Sequence, residues 1–209
     1  MTFAAAERAQ LAQLFHRVGP DAPTLCEGWS TRDLAAHLYV RENKFPISIE
    51  IWAPFSWRLD DAMDAQCTRD FDELVDDWAA GPSKRSPRYY LDGVMNTAEH
   101  FIHHEDVRRG RGEVTPREFS RVVEADLMKA ARMMGQMALS SSEVPVVLTP
   151  QNHPPVTLGG KRGVVAKGDR VVRVSGDPGE LLLWVTGRDA VQVDIDGAQA
   201  DIAKVKRRI

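Results

Sequence analysis

Residues 99–109 read EHFIHHEDVRR, with three histidines, three acids and two arginines in eleven positions. The run lies where apolar residues recur at helical spacing: Leu91, Met95, Ala98 and Ile102 define one stripe. A helix is therefore predicted from about Arg88 to Arg109, stopped by Gly110, with Arg108 and Arg109 placed against its negative C-terminal end. An α-helix turns by about 100° per residue. On that wheel Glu99, His103 and Asp106 fall within the apolar stripe. His100 and His104 turn toward the flank or solvent, and Glu105 falls on the opposite margin. Glu99 and His103 are thus expected to point into the protein.

Working outward from this helix, the chain divides by composition near residue 143. Before it, Leu11, Leu14, Phe15 and Val18 mark a first helix ending at Gly19-Pro20. Ser30 and Asp33 form a capping box that opens a second helix over LAAHLYV. Residues 43–66, interrupted by Pro46 and Pro54, read as irregular to partly helical, their tryptophans most economically placed in the core. Phe71, Leu74, Val75 and Trp78 give another helix, with Thr68 as a possible cap. Pro116 is expected to open a last long helix facing inward with Val122, Val123, Leu127, Ala130 and Met134. After residue 143, VPVVL, RGVVAK, RVVRVS and AVQVDID read as strands, with Lys167-Gly168-Asp169 as a hairpin turn. In DPGELLLWVTG, Asp177 is the expected cap, Pro178 opens the first turn, Glu180 completes a box and Gly187 is the stop. DIAKVKRRI is expected to form a last helix. The expected fold class is α+β in two parts: a four-helix bundle over 1–142 and a small α+β domain over 143–209.

The chain has 209 residues, 43% of them hydrophobic, enough for a sizeable core. Its net charge of −3 offers no basic face for nucleic acid, so none is expected as a partner. Cys26 and Cys67 lie far apart without CxxC spacing, which points away from a disulfide framework and toward a reducing cytoplasm. There is no export signal in MTFAAAERAQ, no run long enough to span a membrane, no glycine-rich phosphate loop and no GxSxG elbow.

The second helix places His37 between Leu34, Leu38 and Arg41, again on the apolar side. Three polar groups, His37, Glu99 and His103, therefore converge from two helices. A buried carboxylate needs a proton, an ion pair or a cation. A divalent metal satisfies all three groups at once, because Glu and His at i, i+4 can share an ion with a facing His. Two imidazoles and one carboxylate suit zinc, or else iron, nickel or manganese, and leave a coordination position open for water or substrate. The bland readings are a hydrogen-bonded core histidine for His37 and an ion pair with Arg41 for Glu99. A rival metal pair, His100 and His104, ranks lower because its face is polar. Asp106 is either an orienting partner of His103 or the partner of an arginine. Cys26 is a possible nucleophile but has no histidine near it in sequence, so a small core or loop residue is the simpler reading. His16 and His153 read as surface or loop residues.

The run LCEGWSTRDLAAHL resembles the second-helix signature of DinB-like metal-binding bundles, particularly the mycothiol-dependent maleylpyruvate isomerase branch common in actinobacteria, with His37 as its histidine. EHFIHHED is similar to the branch's third-helix pattern, mapping onto Glu99, His103 and Asp106. GELLLWVTGRDA resembles the small α+β domain that follows the bundle. The resemblance implies one divalent metal, usually zinc, on His37, Glu99 and His103. It also implies mycothiol or a similar low-molecular-weight thiol as cosubstrate and a small electrophile as substrate, in a monomer or homodimer. The metal-bound thiol becomes a thiolate near neutral pH; adding it across a cis double bond permits rotation, and elimination leaves the trans product. Arg188, or alternatively Arg41, is the candidate anchor for substrate or thiol carboxylates. Residues 43–66 do not match the isomerase, so a relative of it is expected. The competing readings are a non-catalytic, stress-related metal-binding bundle and, last, an apolar-ligand binder prompted by LLLWV.

Overall fold

The structure is a computed structural model that describes residues 2–43, 56–81, 93–160 and 170–207. Their contacts group into two units, Met1–Glu113 and Val114–Ile209. The composition boundary expected at 142/143 marks where the strands begin; the contact boundary falls earlier, ahead of the last long helix.

The first unit holds α1 (Phe3–Val18), α2 (Thr31–Asn43), α3 (Ser56–Cys67), α4 (Phe71–Ala79) and α5 (Gly93–Arg108). Thr2 caps α1 by accepting from Ala5 N at 3.3 Å, and Gly19 ends it. The capping box of α2 forms as predicted: Ser30 N donates to Asp33 Oδ2 at 2.8 Å and Asp33 N to Ser30 Oγ at 3.4 Å. This fixes the phase of the helix that carries His37. For α4 the cap is Asp70, which accepts from Glu73 N at 3.0 Å, not Thr68. Thr68 Oγ1 instead donates back to Ala65 O at 2.9 Å, closing the end of α3. Leu11, Phe15, Leu34, Leu38, Leu74, Val75 and Trp78 are fully buried in one core, with Phe15 edge-on to both Phe71 and Trp78 at 6.1 Å.

The expected start of α5 at Arg88 lies outside the described residues, as do residues 44–55. Within the described part, the wheel is right about Ala98 and Ile102 but wrong about the other face. His100, His104 and Glu105 are 1%, 6% and 0% exposed. The reason is that α1 packs along α5 on the side the apolar stripe leaves open. His100 Nδ1 donates to Ala4 O at 2.8 Å and its Nε2 meets Glu42 Oε1 at 3.0 Å, while His104 Nδ1 meets Glu7 Oε2 at 2.9 Å. Glu42 also takes Arg8 at 2.6 Å and the Trp78 indole N–H at 3.1 Å. Glu105 is held by Arg108 and Arg109 at 2.6 and 2.7 Å. Each buried charge has a partner, so the helix is inside on nearly all sides without an apolar sequence.

Between α1 and α2, residues 19–30 fold back against the end of α5. Pro23 bridges to Ser30, and Leu25 N donates to Asp106 O at 3.0 Å. Gly28 takes a left-handed φ of +76°. Thr24 Oγ1 donates to Trp29 O at 2.9 Å and accepts from Cys26 N at 3.1 Å.

The second unit holds α6 (Arg121–Ala138), β1 (Val146–Pro150), β2 (Val156–Leu158), β3 (Val172–Gly176), α7 (Pro178–Val185), β4 (Val193–Asp196) and α8 (Gln199–Ile202). The sheet order is β2-β1-β3-β4, with β1 and β3 parallel and the outer pairs antiparallel. The chain is thus α+β, as expected. Several details differ. Helix α6 begins at Arg121, not behind Pro116, and Val122 in its first turn is 74% exposed; Leu127, Ala130 and Met134 do face inward. It packs on α7 and β2, which is why it groups with the strands. Strand β2 is too short to stand out in the sequence. RGVVAK and the Lys167-Gly168-Asp169 turn lie outside the described residues. In α7, Pro178 sits at the first turn as predicted, but the Asp177 side chain makes no cap hydrogen bond, and Glu180 accepts from Gln192 N at 2.7 Å. Leu181 to Val185 are all buried, which accounts for LLLWV as core. The tail forms only the single turn of α8. Among the described residues no helix is long and apolar enough to cross a membrane.

Candidate metal centre

Three elements of the first unit supply the site. Helix α2 contributes His37 and Arg41, α5 contributes Glu99, His103 and Asp106, and the 19–30 loop contributes Cys26 and Trp29. The structure brings the sequence-derived trio together: donor atoms of His37, Glu99 and His103 all lie within 4.8 Å of one another. Glu99 Oε2 is 3.2 Å from His103 Nε2. Donors about 2.1 Å from a tetrahedral ion stand about 3.4 Å apart, so this spacing is near what a shared ion requires.

Unmet bonding capacity points the same way. Buried His37 Nδ1 and Glu99 Oε2 have no hydrogen-bond partner among the described residues; the Glu99 oxygen approaches His103 without hydrogen-bond geometry. Orphaned buried polar atoms are costly and call for an explanation. A cation between them satisfies both, and the donor set of two imidazoles and a carboxylate fits one.

The protonation states are set by the surroundings. Burial pushes His37 down to about 4, aided by the charges of His103 and Arg41, so its imidazole is neutral at pH 7 with a lone pair to give. Burial alone would raise the Glu99 carboxyl, but Arg41 and His103 outweigh it and hold Glu99 well below the usual carboxylate range. Arg41 does this from 3.4 Å, between its Nη2 and Glu99 Oε1. Burial also disfavours a charge on His103, yet contacts with Asp106, Cys26 and Glu99 raise it well above the ordinary histidine value.

His103 is thus an imidazolium between two carboxylates when no ion is bound. Asp106 Oδ2 accepts from its Nδ1 at 2.9 Å, which leaves Nε2 as the nitrogen turned to Glu99. The Nε2 proton must leave before that nitrogen can bind a cation. Metal uptake at neutral pH should therefore release about one proton per chain. Affinity should rise about tenfold per pH unit until the pH passes the raised value of His103. Calorimetry in buffers of different ionisation enthalpy measures the release; uptake without it would contradict this arrangement.

Of the remaining predicted residues, Asp106 lies against His103, its Oδ2 2.9 Å from Nδ1. His100 and His104 do not meet as a pair, being held by Glu42 and Glu7 respectively. His16 lies at the surface between Asp72 and Asp76, and His153 beside Glu124. Arg188 belongs to the second unit, where its Nη1 donates to Thr186 O at 2.7 Å. Cys26, ranked in the sequence as a small core or loop residue for want of a nearby histidine, lies beside the site. Its Sγ donates to Asp106 Oδ2 at 3.2 Å, the same oxygen that holds His103, so a histidine is close in space though not in sequence. Trp29, unremarked within the LCEGW run, places its ring 5.1 Å from that of His37.

No family model matches the chain, and no curated protein matches it in sequence. In structure it is similar to the mycothiol-dependent maleylpyruvate isomerase, with a TM-score of 0.59 and 17% identity over 92% of this chain and 88% of that one. A histidine-to-alanine mutant of that enzyme matches with a TM-score of 0.60 and 15% identity over the same shares. The chain therefore shares the α+β fold of that isomerase.

Proposed function

We propose that this protein is a divalent-metal-dependent enzyme that uses a low-molecular-weight thiol to attack a small electrophile, in the manner of an isomerase or S-transferase. The observation that carries the reading is the convergence of His37, Glu99 and His103, with the buried His37 Nδ1 lacking a hydrogen-bond partner among the described residues. The fold shared with a mycothiol-dependent isomerase supports a thiol as cosubstrate, with mycothiol the first candidate. On the same support the first unit is read as a DinB-like bundle, zinc as the metal, with nickel, iron or manganese as alternatives, and the cytoplasm as its compartment.

A divalent ion held by these three residues would supply the positive charge that makes a bound thiol acidic near neutral pH. The chain's own residues do the rest. Arg41 keeps Glu99 ionised through Oε1, while Oε2 faces His103. Asp106 holds the Nδ1 proton of His103 and with it the ring's orientation. Arg41, 3.4 Å from Glu99, is also proposed to meet a substrate carboxylate. Arg188 is proposed for the same task on the resemblance alone.

The cobalt-substituted protein tests this reading. Addition of the thiol should produce a sulfur-to-cobalt charge-transfer band. A cobalt spectrum unchanged by saturating thiol would instead support the rival reading, a metal-binding module without catalysis.

A further inference from the structure

Histidine ligands usually donate their second ring nitrogen to a carboxylate or carbonyl, which fixes ring orientation. His103 follows this rule through Asp106; His37 does not. Among the described residues His37 makes no hydrogen bond: its buried Nδ1 is the nitrogen left for the ion, and no carboxylate or carbonyl takes the other. Two aromatic rings lie against it: Trp29 at 5.1 Å with a 49° tilt, and His103 edge-on at 5.5 Å. From these contacts we infer that Trp29 is the positioning residue for the ligand His37, its indole holding by contact a ring that no hydrogen bond holds.

The loop is built to keep Trp29 in place. Its carbonyl takes the Thr24 hydroxyl at 2.9 Å and its N–H donates to Cys26 O at 3.0 Å. The loop is in turn tied to α5 by Leu25 N to Asp106 O at 3.0 Å and by the Cys26 thiol to Asp106 Oδ2 at 3.2 Å. One short segment thus supports both imidazoles, through Asp106 for His103 and through Trp29 for His37. Each ring is fixed before an ion arrives, so less ordering entropy is lost on binding.

The inference rests on the metal reading but not on the thiol chemistry, and its test separates the two. Metal-free wild type, Trp29→Phe and Trp29→Leu are titrated with cobalt, and the visible absorption of the bound ion is recorded. Phenylalanine keeps a flat ring, whereas leucine keeps apolar bulk without one. Wild type and Trp29→Phe should bind with similar affinity and similar spectra. Trp29→Leu should bind about 10–100-fold more weakly, the range seen when a ligand's supporting partner is lost, with an altered band shape at equal thermal stability. Equal affinity and spectra for Trp29→Phe and Trp29→Leu overturn the inference while leaving the metal centre standing. Failure of wild type to bind cobalt removes the centre and the inference with it.

Discussion

Replacing His103 or His37 with alanine should leave the protein folded and without metal. Wild type should carry about one divalent ion per chain. Each variant should lose affinity by more than about 100-fold, the upper range for changes one bond further from the ion. The His37 variant is the cleaner of the two. Its ring makes no hydrogen bond among the described residues, so its removal strands no new polar atom. Removing the His103 ring also withdraws a donor from Asp106, but Cys26 still donates to that carboxylate, and Arg41 still neutralises Glu99. Elemental analysis after dialysis, with circular dichroism as the folding control, decides the matter. Retention of stoichiometric metal by both variants would sink the metal centre and the proposed function together.

The second large effect is expected far from any chemistry, at Gly110. A Cβ built there would overlap the carbonyl oxygen of Pro23 and lie 2.6 Å from its carbon and 2.9 Å from Thr24 Cα. All three are backbone atoms and cannot rotate away. Gly110→Ala should therefore push the loop off α5 and cost about 3 kcal/mol, the upper end of overpacking penalties. For a chain of this length that lowers the melting temperature by roughly 6–12 °C. The same loop carries Trp29 and Cys26, so metal affinity should fall as well. Gly112 provides the contrast: it has a φ of +88° and open space around the missing Cβ. Gly112→Ala should cost only about 1 kcal/mol, through backbone strain, and leave the metal untouched. Equal melting temperatures for the two variants would refute the close-approach argument.

These expectations depend on different amounts of sequence information. His37, Glu99 and His103 were legible because each lies in phase with apolar neighbours on its helix, and phase survives without tertiary knowledge. The capping box at Ser30 was legible because both partners are local. His100 and His104 were misread as outward for the converse reason. Their partners, Ala4, Glu42 and Glu7, come from other helices, and no local pattern announces them. A helix surrounded on several sides by complementary charges shows a weak apolar stripe, so the wheel underestimates its burial. Trp29 was invisible as a site residue, and Cys26 could be named but not placed, because a loop has no phase to read. The retrospective signal is their position, immediately ahead of the box that starts the His37 helix. In the second unit, β2 is three residues long and α6 starts five residues after Pro116, details that pairing and packing decide.

The buried polar contacts of α1 carry a consequence for biosynthesis. Ala4 and Glu7 meet His100 and His104 across 96 and 97 residues of chain. At a synthesis rate of about 5–20 residues per second, α1 waits on the order of 5–20 s before those partners leave the ribosome. During that time α1 can already meet the second and fourth helices, through Arg8 to Glu42 and Trp78, but not the histidines of α5. Closing this long loop brings α1 and α5 together, so the contact between α1 and α5 is among the last in the first unit to form, whatever α1 has already met.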